Sequence, residues 1–210
     1  MGNHIIDNIN ALEAVYDAPP SDASLIKESA VITDTYRTLI EAAPFVALAS
    51  SGPEGLDCSP RGDLNGFVRI HDPKTLMIPD RRGNNRIDTL RNIVRDPRIA
   101  LLFLIPGSGT TLRVNGTAQL SIEPELLDSF AEQGKPPRSV IVIHIETIYF
   151  QCTRAIMRAK LWDPASQIDP KSLPSAGDIL SEQSIARNDD PFDGGAYDAE
   201  WPGRAAKSLW

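Results

Sequence analysis

Residues 76–91 read LMIPDRRGNNRIDTLR. An apolar run stops at Pro79 and Asp80. Arg81, Arg82, Asn84, Asn85 and Arg86 then gather around Gly83, and an amphipathic helical pattern begins at Ile87. Guanidinium groups grip phosphate oxygens through charge-assisted, often bidentate bonds, and asparagine amides add weaker donors. Gly83 lets a backbone come close, and a helix start leaves its first amides unpaired. Strand, basic loop and helix start together suit a bound phosphate group. The same residues also suit a solvated basic turn.

The rest of the chain is acidic, with a net charge of -7 from 28 Asp and Glu against 21 Lys and Arg. The arginines between 81 and 86 therefore form a local site. Nucleic-acid binding, which needs phosphate neutralisation along a broad basic face, is not expected. A small anionic ligand is.

At 210 residues and 41% hydrophobic content the chain is long enough for one core domain with appendages. No window approaches the roughly 20 apolar residues that span a bilayer. Residues 1–20 lack the basic start and apolar centre of a secretory signal, so a cytoplasmic protein without membrane partners is expected. Cys58 and Cys152 have no CxxC spacing, which indicates buried free thiols and neither a disulfide framework nor a zinc site. His4, His71 and His144 show no metal-ligand spacing, so no metal is expected, and His144 reads as an ordinary sheet residue.

Moving outward from the loop, residues 75–78 pair with 67–70 across His71, Asp72, Pro73 and Lys74. Upstream, residues 45–50 and 56–61 make a hairpin through Gly52 and Pro53. Further upstream, residues 1–18 are weakly helical. A second helical region beyond Pro19 and Pro20 runs towards Ala43, with Tyr36, Leu39 and Ile40 at helical spacing. Downstream, Ile87, Leu90, Ile93 and Val94 form one apolar helical face that ends before Pro97. Strands follow at 98–105, at 112–120 with Val114, Gly116 and Ala118 on one face, and at 138–152. A short helix lies at 123–132. The expected fold is mainly β with peripheral helices, an α+β arrangement of six or seven meandering strands closing into a small barrel.

After Asp163 the chain turns rich in Pro, Ser, Asp and Gly and loses any long apolar period. This tail forms no domain of its own. Trp201 and Trp210 are costly to leave in water, so the tail is expected to lie over the core or a second subunit, the alternative being disorder. The organisation is thus a helical region at 1–43, a core domain at 44–163 and an extension at 164–210.

The succession SPRGD at 59–63, IPDRRGNNR at 78–86, RDPRIALLFL at 95–104 and TLRVNGTA at 111–118 resembles the pyridoxamine 5'-phosphate oxidase-like flavoproteins. The resemblance covers 45–163 in order. It implies a split β-barrel that dimerises and binds FMN in the cleft between subunits. Arg86, with Asn84 and Asn85, falls where the family grips the FMN phosphate, and Arg61 on its phosphate or ribityl side; Arg81 of the same cluster is a further candidate cofactor contact. Ser59, Pro60 and Gly62 fall along one edge of the isoalloxazine, while Pro79 and Asp80 flank the ribityl chain.

Thr111 stands where the oxidase has a glutamine near the ring. Arg113, two residues on, shares its strand face, as a flavin contact or a surface arginine. Arg158, Lys160 and Trp162 resemble residues that the partner subunit lays against the cofactor, though Trp162 equally suits an interface or core anchor. The resemblance, together with the apolar strands 98–105 and 138–152, leads to the expectation of a homodimer with cofactor at its interface.

The oxidase's distal arginine–histidine pair has no counterpart, because neither Arg187 nor Arg204 is followed by the histidine, so coenzyme B6 synthesis is not expected. Haem binding, known in some split-barrel relatives, ranks behind flavin. Two functions remain. One is an FMN-dependent oxidoreductase passing hydride or electrons from a reduced donor to a small organic acceptor, with no catalytic side chain assigned. The other is a flavin carrier or sensor without turnover.

Overall fold

The computed structural model describes residues 4–208 except Asp17, Asn65 and Asn188. Met1 to Asn3 and Trp210, on which the expectations for the N-terminal helix and the tail partly rest, lie outside the described residues. The N-terminal region is broken into three helices. α1 (Ile9–Val15) starts on the Asn8 side chain, α2 (Asp22–Ile26) follows, and α3 (Asp34–Ala42) is capped by Thr33. The expected continuous second helix is interrupted because Ser29 leaves it to exchange backbone hydrogen bonds with Ile148, at 3.0 and 2.8 Å. α3 stops at Ala43, whose extended backbone is what a following proline imposes. Tyr36 and Ile40 of α3 are buried in the core.

Seven strands follow: β1 (Phe45–Gly52), β2 (Gly55–Gly62), β3 (Arg69–Asp72), β4 (Thr75–Asp80), β5 (Arg98–Leu104), β6 (Thr111–Ser121) and β7 (Ser139–Gln151). α4 (Asp88–Arg95) lies between β4 and β5, and α5 (Pro124–Ser129) between β6 and β7. All pairings are antiparallel in the order β2-β1-β5-β6-β7-β4-β3. Alternate residues of these strands fill one core, including Val46, Leu48, Leu101, Phe103, Leu112, Val114, Ile141 and Ile143.

Among the described residues the edge strands β2 and β3 do not pair with each other. The sheet is therefore open, a split barrel rather than the closed one that the meander alone indicates. β3 begins two residues later than expected, because Phe67 and Val68 are buried in the preceding loop instead of entering the ladder. A register shift at Asn115/Gly116 bends the long β6–β7 pair. Gly116 there meets the opposite backbone so closely that an added Cβ would stand 2.0 Å from the His144 carbonyl oxygen.

α4 turns the expected apolar face inward only in part, with Ile93 buried and Leu90 packed half-buried on the core. Its buried residues are Thr89, Asn92 and Ile93, while Ile87 and Val94 are exposed. The polar pair is tolerated inside because the sheet supplies partners: Asn92 donates to Ser50 Oγ at 3.2 Å, and Thr89 donates to Asp57. Both cysteines are exposed, contrary to the expectation of burial: Cys58 lies on the edge strand β2 and Cys152 just beyond β7.

The tail carries more helix than its composition indicates. After α6 (Arg154–Ala159) come single 3-10 turns at Pro164–Ser166 and Pro170–Ser172, then α7 (Ala176–Ala186) and α8 (Gly194–Ser208). α7 begins with a reciprocal Ser175–Asp178 capping box. It packs on α8 through glycines, since a Cβ on Gly177 would stand 2.2 Å from Gly194 O and one on Gly194 2.3 Å from Gly177 O. Asp198 of α8 accepts from the Gly177 amide at 2.9 Å. No helix among the described residues is long and apolar enough to cross a membrane.

Candidate functional site

β4 ends at Pro79 and Asp80, paired with Val140 and Ser139 of β7. β3 does not reach this far, so the missing amide of Pro79 interrupts no ladder on that side. The chain then crosses to α4 through residues 81–87. Asn85 takes the left-handed backbone (φ 61), and its Oδ1 accepts from Arg138 Nη1 at 2.7 Å. Asn84 Oδ1 accepts from the Arg86 amide at 2.9 Å. A Cβ on Gly83 would meet nothing within 4 Å, so the loop leaves open space at its centre. α4 receives no side-chain cap from Ile87, which leaves its first amides available.

The arginines divide by how firmly they are held. Arg81 is anchored: Nε donates to Asp63 at 2.8 Å and Nη1 to the Phe130 carbonyl at 2.6 Å. Arg61, on β2, donates from Nη1 to Asp80 Oδ1 at 2.6 Å, while its buried Nε has no hydrogen-bond partner among the described residues. Arg86 is 79% exposed and pairs with Asp88 at 2.6 Å, a contact that raises its already high pKa. Arg82 is exposed, and among the described residues no ion pair engages it.

Arg61, Arg82 and Arg86 border one cavity of about 820 Å³, within the size range of small-molecule sites. Two smaller cavities of about 250 and 170 Å³ share Arg61, Arg82 and Gly83 with it. Six arginines line the three, against four aspartates, so the walls favour an anion. On the β2 side, Asp57 Oδ2 accepts from Ser59 Oγ at 2.8 Å and from Thr89 Oγ1, and the two hydroxyls lie 2.5 Å apart. This network fixes Ser59 at the cavity wall.

Of the residues singled out in the sequence, Ser59, Pro60, Arg61, Gly62, Pro79, Asp80, Arg81, Asn84, Asn85 and Arg86 all line these cavities. Thr111, Arg113, Arg158 and Trp162 line none of them. Thr111 is buried at the start of β6, and Arg113 donates to the Tyr149 hydroxyl at 3.1 Å. Arg158 is exposed on α6, and Trp162 Nε1 donates to the Ser108 carbonyl at 2.7 Å. They belong to the region around the β5–β6 turn and the end of β7.

The sequence reading left out Asp57, Thr89 and Arg138, and the α8 residues Tyr197, Trp201 and Arg204. Asp57 had a signal, since it shares a strand face with Ser59 by the two-residue period. Of the α8 residues only Trp201 had one, as a tryptophan costly to leave in water.

An open seven-stranded antiparallel sheet with an arginine-lined cavity beside its edge strand makes this a split-barrel protein. The chain belongs to the pyridoxamine 5'-phosphate oxidase family, whose sequence model matches residues 32–152. Among solved structures, HupZ of Group A Streptococcus is 21% identical over 58% of this chain and 94% of its own, with a TM-score of 0.48. A candidate pyridoxamine 5'-phosphate oxidase of Lactobacillus delbrueckii is 22% identical over 58% of this chain and 95% of its own, with a TM-score of 0.47. A Clostridium acetobutylicum protein related to general stress protein 26 of B. subtilis is 13% identical over 56% and 86%, with a TM-score of 0.45. No curated protein matches the sequence.

Proposed function

We propose that the protein binds FMN and works as an oxidoreductase, passing hydride or electrons from a reduced donor to a small organic acceptor. The observation that carries the reading is the buried Arg61 Nε without a partner, beside Arg82, in a cavity rich in arginine. A buried donor left unsatisfied is unfavourable, and an anionic ligand relieves it. The residues fit the cofactor: Arg82, Asn84 and Arg86 hold its phosphate, Arg61 the adjoining ribityl side, and Ser59 to Gly62 the ring edge. Bound FMN supplies the redox step, while the protein supplies orientation, donors and exclusion of water. Two exposed, unpaired cysteines suit a reducing cytoplasm.

The test is the visible spectrum of the purified protein, followed by titration with FMN and riboflavin. A flavin spectrum and tighter binding of FMN are expected, whereas equal affinity for both removes the phosphate from the site. FMN affinity should also rise with pH through about 6, where a phosphate monoester gains its second charge, and riboflavin affinity should not. Anaerobic NADH or NADPH should bleach the bound flavin, and a flavin that stays oxidised with both indicates a carrier instead.

The reading includes a homodimer. Ala100, Leu102 and Leu104 on the second face of β5 are only half-buried, an apolar strip that a second copy covers. Thr111, Arg113, Arg158 and Trp162, remote from the cavity in their own subunit, reach a flavin only from across such an interface. FMN should then stabilise the dimer, and dilution to monomer should weaken FMN binding, because linkage is reciprocal. Light scattering over a dilution series with parallel FMN titrations measures both effects. A monomer whose FMN affinity is the same at every dilution sinks the shared site.

A further inference from the structure

The cavity of about 820 Å³ has a wall that the family match does not reach. The match ends at residue 152, yet Tyr197, Trp201, Arg204 and Ala205 of α8 line the cavity together with Ser59, Pro60 and Arg82. α8 is held firmly to α7. Its start is locked into α7 by the mutual contact of Gly177 and Gly194, and by Asp198 on the α7 amide. The Arg204 guanidinium lies 3.9 Å from the Tyr197 ring centre and donates to the Tyr197 carbonyl at 2.7 Å.

Pro202, inside the helix, has no amide to give to the Asp198 carbonyl four residues back and disturbs the turn from Asp198 to Pro202 that carries Trp201. Trp201 lines the cavity and keeps 56% of its surface exposed. A large indole held at the rim of an anion cavity is a stacking surface for a flat ring.

We infer that α8 forms a second wall of the ligand site, with Trp201 stacking on the planar ring of a ligand whose phosphate is held by the 81–86 loop. The inference rests on the cofactor reading above and adds a contribution from the C-terminal extension of the same chain. Phosphate and ring are then recognised by separate parts of the molecule: the loop between β4 and α4 selects the charge, and α8 selects flatness and aromaticity.

That separation gives the test. FMN and riboflavin share the ring and differ in the phosphate, so the two are titrated against the full-length protein, Trp201→Ala, Trp201→Phe and Arg86→Ala. Trp201→Ala should weaken FMN and riboflavin alike, by about five- to tenfold for a lost aromatic stack. Trp201→Phe should recover most of the loss, and Arg86→Ala should weaken FMN alone. FMN should also quench the tryptophan fluorescence of the unaltered protein more than that of Trp201→Phe.

Unchanged affinity of Trp201→Ala for both flavins, with FMN still bound by the unaltered protein, overturns the α8 wall and leaves the cofactor reading standing. A loss for FMN but not riboflavin places Trp201 on the phosphate and overturns the stacking role. Failure of the unaltered protein to bind either flavin overturns both.

Discussion

Replacing Arg82 and Arg86 together by alanine should erase the preference for FMN over riboflavin. Each charge-assisted bond to a phosphate is worth about 1.5 to 3 kcal/mol, so the pair should lower FMN affinity roughly a hundredfold or more. The two do not contribute equally. Arg86 must release Asp88 before it can grip a ligand, and its largely exposed side chain is screened by water, whereas no ion pair among the described residues engages Arg82. The single Arg82→Ala variant should therefore lose more than Arg86→Ala. Isothermal titration with both flavins decides the matter: a riboflavin affinity that falls in step with FMN would show that the loop acts through the ring or the fold, not the phosphate.

Gly116→Ala should destabilise the fold far more than its single added methyl suggests. The new Cβ would stand 2.0 Å from the His144 carbonyl, and the obstructing atom is backbone in the central β6–β7 pair, which cannot swing aside. A loss of about 3 kcal/mol is expected, or roughly 6 to 12 °C in midpoint for a chain of this size. Gly83→Ala is the control, since its Cβ meets nothing, and its stability should change by no more than about 0.5 kcal/mol. Equal midpoints for the two variants would mean that the β6–β7 register relaxes to admit the methyl.

Much of this architecture was legible because strands announce themselves by alternation and their ends by turn residues. The hairpin of β1 and β2, the long β6 and β7, and the β4–loop–α4 passage follow from local sequence alone. What was not legible depended on partners that sequence does not name. α4 buries Thr89 and Asn92 because Asp57 and Ser50 wait on the sheet, so apolar spacing found Leu90 and Ile93 but not the polar part of the buried face. α7 and α8 meet glycine against glycine, which leaves no apolar stripe to read.

Sheet closure is likewise a property of two edges distant in the chain, and no local pattern reports it. In the candidate site, the arginine-rich 81–86 loop was visible as a contiguous motif. Asp57 was visible only as a neighbour of Ser59, and the α8 wall was hidden by its distance along the chain.

β2, the strand that walls the cavity, borders the open side of the sheet. Such an edge invites a passing chain to add itself as another strand and grow an aggregate. Pro60 stands at the middle of that edge, paired with Ala47 on its inner side, and withholds the amide an intruder would need. Asp57 and Arg61 flank it with charge. Pro60, at the wall of the cavity, thus also guards against polymerisation: the substitution that opens the cavity would open the sheet to self-association.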